Sequence, residues 1–218
     1  MKIKYQDKIV AFIDVLGFSN LVYTDTTFLI SKYFDYVLGE FKNPLGRNKF
    51  SSLLISDSIV ITANNNKENL ATMVEILCLL QSKLMTEGIL IRGAISFGGL
   101  YLNKSKNIIV GVGMINAYQL ESKAIYPRII LDRRLINCYF EGTSSAIRDL
   151  SNSYFSFLLF TPPQPYSADF LYLNYTRFFS IRKAKPLNQL LELLKNHYYY
   201  NEHIEKSEWL RKTCRNFH

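Results

Sequence analysis

The chain has 218 residues, of which 48% are hydrophobic, and no long polar linker divides it, so we expect a single domain over 1–218. Its formal net charge of +8 suits a polyanionic ligand, nucleic acid or an ordinary surface, and therefore does not choose among them. Cys78, Cys138 and Cys214 are far apart and odd in number, which argues against a disulfide framework and a zinc site.

The sequence contains no candidate membrane segment. No stretch approaches the roughly 18 unbroken apolar residues of a membrane span, and charged residues precede the first apolar run. We therefore expect a cytoplasmic protein that is neither exported nor embedded in a membrane.

The first predicted element is a strand within the segment VAFIDVLGFS at 10–19. The apolar, β-branched run at 9–13 is typical of a buried strand, and Gly17 lets the backbone turn sharply towards a bound anion. Asp14 therefore comes at the edge of a strand. Taken alone, it fits a solvated turn residue better than a cation ligand.

The next predicted elements are a helix and a hairpin. Apolar residues at three- and four-residue spacing predict a helix over 28–41, followed by a loop over 43–48. The segment LLISDSIVIT at 53–62 predicts two strands hinged on Asp57. Because an unpaired Asp is costly to bury, Asp57 is either a solvated turn residue or a cation ligand.

Helices and strands continue to alternate along the rest of the chain. The predicted segments are a helix from Leu70 to near Gly88, a strand at 89–97, a polar excursion at 101–106, a strand at 108–110, a helix at 113–122 and a strand at 128–131. After Asp132 the pattern predicts a strand pair at 154–161 and 170–178, a helix opened by Pro186 and a last helix around Trp209. This order predicts an α+β fold, with a ferredoxin-like βαββαβ core extended by a further helix and strand, and with helices on one side of the sheet.

The two Asp motifs, followed by ILIRGAISFG at 89–98 and IIVGVGMINAYQLE at 108–121, resemble the catalytic domain of class III nucleotidyl cyclases over about 8–131. In that family an Asp on the first strand, before a Gly-Phe-Ser turn, and a second Asp in the next hairpin hold two divalent cations over a nucleoside triphosphate. The resemblance implies a cyclase and polymerase-palm type of fold. It also implies that the ribose 3′-hydroxyl of the nucleoside triphosphate attacks its own α-phosphate and that pyrophosphate leaves.

The resemblance assigns roles to the residues of the two motifs. Two Mn²⁺ or Mg²⁺ ions would be held by Asp14, Val15 and Asp57. The phosphates would be bound by the backbone amides of Leu16, Gly17, Phe18 and Ser19, because oriented N–H groups at such turns favour anions. The family also implies a head-to-tail homodimer with shared active sites.

The positions that read a purine base in adenylate and guanylate cyclases hold Leu53 and Ile108. Neither side chain can form hydrogen bonds, so an unpaired purine edge would cost about 1–3 kcal/mol. The segments FIDVLGF, ISDSIVI, IRGAIS and YPRIIL look like the pyrimidine cyclases of Pycsar antiphage defence. That resemblance implies cyclic CMP or cyclic UMP made from CTP or UTP and read by a separate effector.

The groups that stabilise the transition state are less clearly matched. The family's Asn and Arg positions hold Ile115 and Gln119. Asn116 lies one residue away from the first of them, and Arg92 and Arg128 are alternative cations at strand edges. Each arginine also fits an ion pair at the surface or at an interface.

Other functions stay open at this point. They are an adenylate cyclase with unusual base contacts and a catalytically inactive cyclase fold that binds a nucleotide or a partner. The tyrosines at 198–200, with Arg211, Lys212 and Arg215, suggest base stacking and phosphate contacts with nucleic acid. Aromatic residues of a C-terminal helix more often pack on a neighbour, so we expect no nucleic-acid partner.

Overall fold

The computed structural model describes residues 3–24, 28–42, 50–142, 145, 159–160, 171–173 and 175. In this part of the chain, strands and helices follow each other in an α+β order. The strands are β1 (Gln6–Val15), β2 (Phe50–Ile55), β3 (Ser58–Asn64), β4 (Ile91–Asn103), β5 (Ile108–Gly111), β6 (Ile129–Leu131), β7 (Leu159–Phe160) and β8 (Leu171–Leu173). The helices are α1 (Phe18–Thr24), α2 (Leu29–Lys42), α3 (Lys67–Thr86), α4 (Val112–Glu121) and α5 (Arg133–Tyr139).

The strands form one mixed sheet in the order β2-β3-β1-β4-β6-β8-β7, with β5 paired to β4. Neighbouring strands are antiparallel except β4 and β6, which are parallel. The four strands β2-β3-β1-β4 have the order of a ferredoxin-like core, with α1 and α2 in the first connection and α3 in the second. The predicted core and its extension by α4 and β6 are therefore confirmed.

Both faces of β1 are buried. Ile9 and Ile13 face the main core, which contains side chains of α2 and α3. Val10 and Phe12 face the opposite side, and the ring of Phe12 meets that of Tyr118 on α4 edge-on, with centroids 5.5 Å apart. The expectation of helices on one side of the sheet is therefore wrong for α4, because alternate residues of β1 are apolar on both faces and both need cover.

The α4 helix lies close to the sheet because Gly113 has no side chain. A Cβ at this position would lie 2.9 Å from the carbonyl oxygen of Gly98 and 3.1 Å from a methyl group of Val10. Ala117, one turn later, is also small and fully buried. These contacts hold α4 at a fixed distance from β1 and β4, and so position the residues at its C-terminal end.

Several boundaries differ from those expected from the sequence. β4 continues to Asn103 because β5 pairs with its second half, so only the short 3-10 helix Lys104–Lys106 leaves the sheet in the predicted polar excursion. The α1 helix forms directly after Gly17, where only a turn was expected. The α5 helix was not predicted; it begins after Asp132, whose side chain accepts a hydrogen bond from the backbone N–H of Arg134.

The described residues confirm part of the predicted C-terminal strand pair. β7 and β8 pair with each other, and β8 joins the sheet beside β6. The helices predicted from Pro186 and around Trp209, and Cys214, lie outside the described residues. Cys78 is buried and Cys138 exposed, and both are free thiols. Among the helices described, none is both long and apolar enough to cross a membrane.

Candidate active site

Asp14 lies near the end of β1, on the face that α4 covers, and its side chain is 20% exposed. The antiparallel register places it opposite Arg92 on β4. Nε and Nη2 of Arg92 both donate to Oδ2 of Asp14 at 3.3 Å, and the hydroxyl of Ser58 donates to Oδ1 at 3.4 Å. Side chains from the two strands beside β1 therefore hold this carboxylate in place.

Asp57 is carried by the turn between β2 and β3, as the sequence predicts. Ile55 pairs with Ser58, which leaves a two-residue turn formed by Ser56, with φ 56°, and Asp57. The hydroxyl of Tyr33 on α2 donates to the backbone carbonyl of Asp57 at 2.8 Å. Because Tyr33 is fully buried, this bond anchors the turn to the main core.

The two predicted carboxylates act on each other. Burial raises the pKa of Asp14, and the negative charge of Asp57 raises it further, while Arg92 lowers it. When a second carboxylate destabilises the ionised form of a partly buried carboxylate, a cation bound between the two is favoured. Val15, predicted beside the same cations, is buried next to Asp14 on β1, and its role stays a prediction.

The donor set fits a hard divalent cation. Mg²⁺ is commonly bound by one or two carboxylates together with phosphates of the substrate, and Mn²⁺ accepts the same oxygen ligands. Within the described residues there is no cluster of three or more His, Cys, Asp or Glu side chains suited to a metal ion. Asp14 and Asp57 would therefore supply only part of the ligands of the cations, and oxygen atoms of water or of phosphates would supply the rest.

The glycine turn after β1 lacks one of the predicted phosphate contacts, that of the Leu16 amide. Gly17 has φ 72°, a conformation that favours glycine, and α1 begins at Phe18. The amide of Leu16 donates to the carbonyl oxygen of Leu90 at 2.8 Å, so it is not available to a phosphate as predicted. The first turn of a helix leaves its amides without intrahelical acceptors, so the amides of Phe18 and Ser19, like that of Gly17, stay predicted phosphate ligands.

Glu121, the last residue of α4, completes the site and was not predicted from the sequence. Its side chain is 4% exposed, and Oε1 lies 2.6 Å from Nε of Arg92 in an ion pair. Burial raises the pKa of Glu121, Arg92 lowers it, and Asp14 raises it again. A signal was present: Gly113, Ala117 and Glu121 follow each other at four-residue spacing, so the acid stands on the buried face of α4.

The predicted base-reading residues lie on the part of the sheet that β2 and β5 contribute. We call the apolar group on the α4 side of the sheet the α4-side cluster, which consists of Val10, Phe12, Val60, Leu100 and Ala117. Leu53 packs against this cluster, and so does Ile109. Ile108 is half-buried and is not part of it. The base-reading role of Leu53 and Ile108 stays a prediction.

The predicted transition-state residues take different positions. The side-chain amide of Asn116 donates to the carbonyl oxygen of Phe97 at 3.0 Å, so it already has an acceptor within the chain. Arg128 is 6% exposed and lies over the rings of Tyr126 and Tyr172. Arg92 alone of these three contacts Asp14. Catalytic roles for all three stay predictions.

No protein-family model and no curated protein matches the chain. Among solved structures, the guanylyl cyclase Cya2 is 13% identical, with a TM-score of 0.50, over 79% of this chain and 92% of that one. A double mutant of the guanylyl cyclase domain of the RhoGC fusion protein from the aquatic fungus Blastocladiella emersonii is 15% identical, with a TM-score of 0.50, over 79% and 97%. The fold is therefore that of class III nucleotidyl cyclase catalytic domains.

Proposed function

We propose that this chain is a nucleotidyl cyclase that converts CTP or UTP into the 3′,5′-cyclic nucleotide and pyrophosphate. The observation that carries the proposal is the meeting of Asp14 and Asp57 at one end of the sheet, with Arg92 paired to Asp14. Two carboxylates beside a guanidinium suit a triphosphate with divalent cations and do not suit an apolar ligand. The class III cyclase fold supports the same activity.

Divalent cations bound by Asp14 and Asp57 would activate the attacking hydroxyl and stabilise the charge on the phosphates. The residues of the chain have the remaining tasks. The amides of Gly17, Phe18 and Ser19 would orient the phosphates at the start of α1. Arg92 would contribute a fixed positive charge beside the reacting phosphate, where charge-assisted hydrogen bonds are strongest.

The pyrimidine preference rests on the apolar side chains at the base-reading positions. Leu53 already packs on the α4-side cluster, so it leaves no donor or acceptor to a purine edge at that point. An apolar wall also shortens the pocket, and a displacement of about 1 Å at the reacting atoms lowers a rate on the order of a hundredfold. A smaller pyrimidine would fill the space with its ribose in line. We further propose that the cyclic product is a second messenger in antiphage defence, read by a separate effector.

The proposed enzyme is a homodimer with shared active sites. Val112, Ile115 and Tyr118 recur every third residue on α4, and their exposed fractions are 59%, 54% and 58%. Gln119 is exposed as well. Ile115 and Gln119 are the positions at which the family carries its Asn and Arg, so an α4 face that packs on a second copy would bring those positions to the partner's site.

The oligomeric state tests this part of the proposal. We expect light scattering to give a dimer for the unmodified chain and a monomer with little activity for Ile115→Asp. The matched control is Ile3→Asp, which adds the same charge at an apolar residue that is 44% exposed and lies outside α4. A fully active monomer would contradict the shared site.

Activity is tested by incubating the purified chain with each of the four nucleoside triphosphates and Mn²⁺ and identifying the products by mass. We expect cyclic CMP or cyclic UMP well ahead of the purine products. Asp14→Ala and Asp57→Ala should abolish turnover, whereas Asp35→Ala, at an exposed position of α2, should not. A preference for ATP would overturn the pyrimidine specificity, and absence of any cyclic product would overturn the cyclase.

A further inference from the structure

Arg92 stands between two carboxylates, and only one of them belongs to the predicted site. Its Nε and Nη2 donate to Oδ2 of Asp14 at 3.3 Å, and its Nε lies 2.6 Å from Oε1 of Glu121 in an ion pair without hydrogen-bond geometry. The side chain of Glu121 is 4% exposed, against 20% for that of Asp14. The buried acid is thus the nearer partner, and the one that water screens less.

A divalent cation on Asp14 changes this balance. The cation would neutralise the negative charge of Asp14. It would also repel the guanidinium of Arg92, because two positive charges at short distance in a half-buried site repel strongly. Without another counter-ion, the guanidinium of Arg92 would either move away from Asp14 or prevent the cation from binding there. Glu121 offers that counter-ion from α4, which Gly113 and Ala117 hold against the sheet.

We propose that Glu121 is a positioning residue that retains Arg92 when a divalent cation takes Asp14, and so keeps the guanidinium directed towards the phosphates of the nucleotide. This inference rests on the proposed two-carboxylate cation site. It gives α4 a second role, besides the proposed role of its exposed apolar face in dimerisation. In Glu121→Gln, Arg92 has Asp14 as its remaining carboxylate partner and therefore competes with the cation.

The test measures binding and needs no turnover. Mn²⁺ affinity is followed by electron paramagnetic resonance, and pyrophosphate affinity by calorimetry in saturating Mn²⁺. We expect Glu121→Gln to weaken pyrophosphate binding at least fivefold and to weaken Mn²⁺ binding as well. The charge change alone predicts the opposite for pyrophosphate, because removing a negative charge favours an anion.

Two comparisons separate positioning from other effects. Adding Glu121→Gln to Arg92→Gln should not weaken pyrophosphate binding, since no guanidinium is left to position and the lost negative charge favours the anion. Glu75→Gln, which removes the same charge from a half-buried position on α3, should behave as the unmodified chain. Should Glu121→Gln not fold, Glu121→Asp keeps the charge, shortens the reach by one methylene group and should show the same weakening.

Either of two results would overturn the inference. The first is that Glu121→Gln binds pyrophosphate as tightly as the unmodified chain does. The second is that Glu121→Gln weakens pyrophosphate binding equally with and without Arg92. If the unmodified chain binds Mn²⁺ and pyrophosphate but forms no cyclic product from any nucleotide, the proposed function fails while the positioning role of Glu121 is still decided by these comparisons.

Discussion

The anchoring of the Asp57 turn by Tyr33 leads to a measurable prediction. Tyr33→Phe removes one hydroxyl from a fully buried side chain and leaves the backbone carbonyl of Asp57 without this donor. Burial raises the pKa of Tyr33, so the hydroxyl stays protonated and continues to donate at any pH of interest. An acceptor left unsatisfied in a buried site costs about 1–3 kcal/mol. Because the bond is part-buried, we expect a loss in the free energy of unfolding at the lower end of this range.

Part of that loss should appear at the cation site. The turn must hold the Asp57 carboxylate beside Asp14 for a cation to bind, and loosening it by about 1 kcal/mol would weaken binding roughly fivefold. Tyr36→Phe is the matched control, because Tyr36 lies on the same helix and its hydroxyl donates to Glu87 at 2.9 Å instead. Urea unfolding measures the stability of both variants, and Mn²⁺ titration measures their sites. If Tyr33→Phe bound Mn²⁺ no more weakly than Tyr36→Phe, the turn would not depend on this bond.

Three further predictions concern single side chains. For Asp132, burial alone would raise the pKa, but hydrogen bonds from Arg134 and Ser96 outweigh it and lower the pKa. Its stabilising contribution is therefore present above the unfolded pKa of about 4 and is lost as the pH falls through the lower folded value. Asp132→Asn should cost about 2 kcal/mol in urea unfolding at neutral pH and remove this acid dependence. Because the pKa of Asp14 is raised, its contribution is instead lost as the pH rises through the folded value; Asp14→Asn should raise the melting temperature of the metal-free chain at pH 8 and have little effect near pH 3. Leu53→Lys alone should not give an efficient adenylate cyclase in an ATP turnover assay, because the rest of the apolar wall still limits the depth of the pocket.

The sequence predicted the parts of the fold that depend on local pattern. The unbroken apolar run of β1 and the two-strand segment around Asp57 specify strands and turns directly, and their register then follows from burial. It did not predict that α4 covers the second face, because its hydrophobic residues surround the helix instead of forming one stripe. Val112 and Ile115 are exposed while Gly113 is buried, and no periodicity could separate these roles.

The candidate site was predictable where a single motif defines a residue, as for Asp14 and Asp57. Contacts between distant segments were not. The bond from the Leu16 amide to Leu90 follows from strand pairing across 74 positions of sequence and removes a predicted phosphate ligand. Glu121 contacts Arg92 only because a glycine brings α4 close to the sheet, so its role depends on packing that the sequence does not display as a motif.

The charges of the completed site predict an order of binding. Asp14 lies beside the carboxylates of Asp57 and Glu121, and Arg92 is the basic side chain that forms ion pairs with Asp14 and Glu121. A phosphate about 4 Å from one unneutralised carboxylate would be repelled by about 4 kcal/mol at an effective dielectric constant of 20. Cations must therefore bind before or together with the triphosphate.

Calorimetry with CTP or UTP in a chelator should show no measurable binding of the nucleotide, and addition of excess Mn²⁺ should restore it. Asp14→Asn, which removes one negative charge and also one cation ligand, should bind the nucleotide weakly in both conditions. Tight nucleotide binding by the unmodified chain in the chelator would mean that other groups neutralise the triphosphate, and that the two carboxylates are not its cation site.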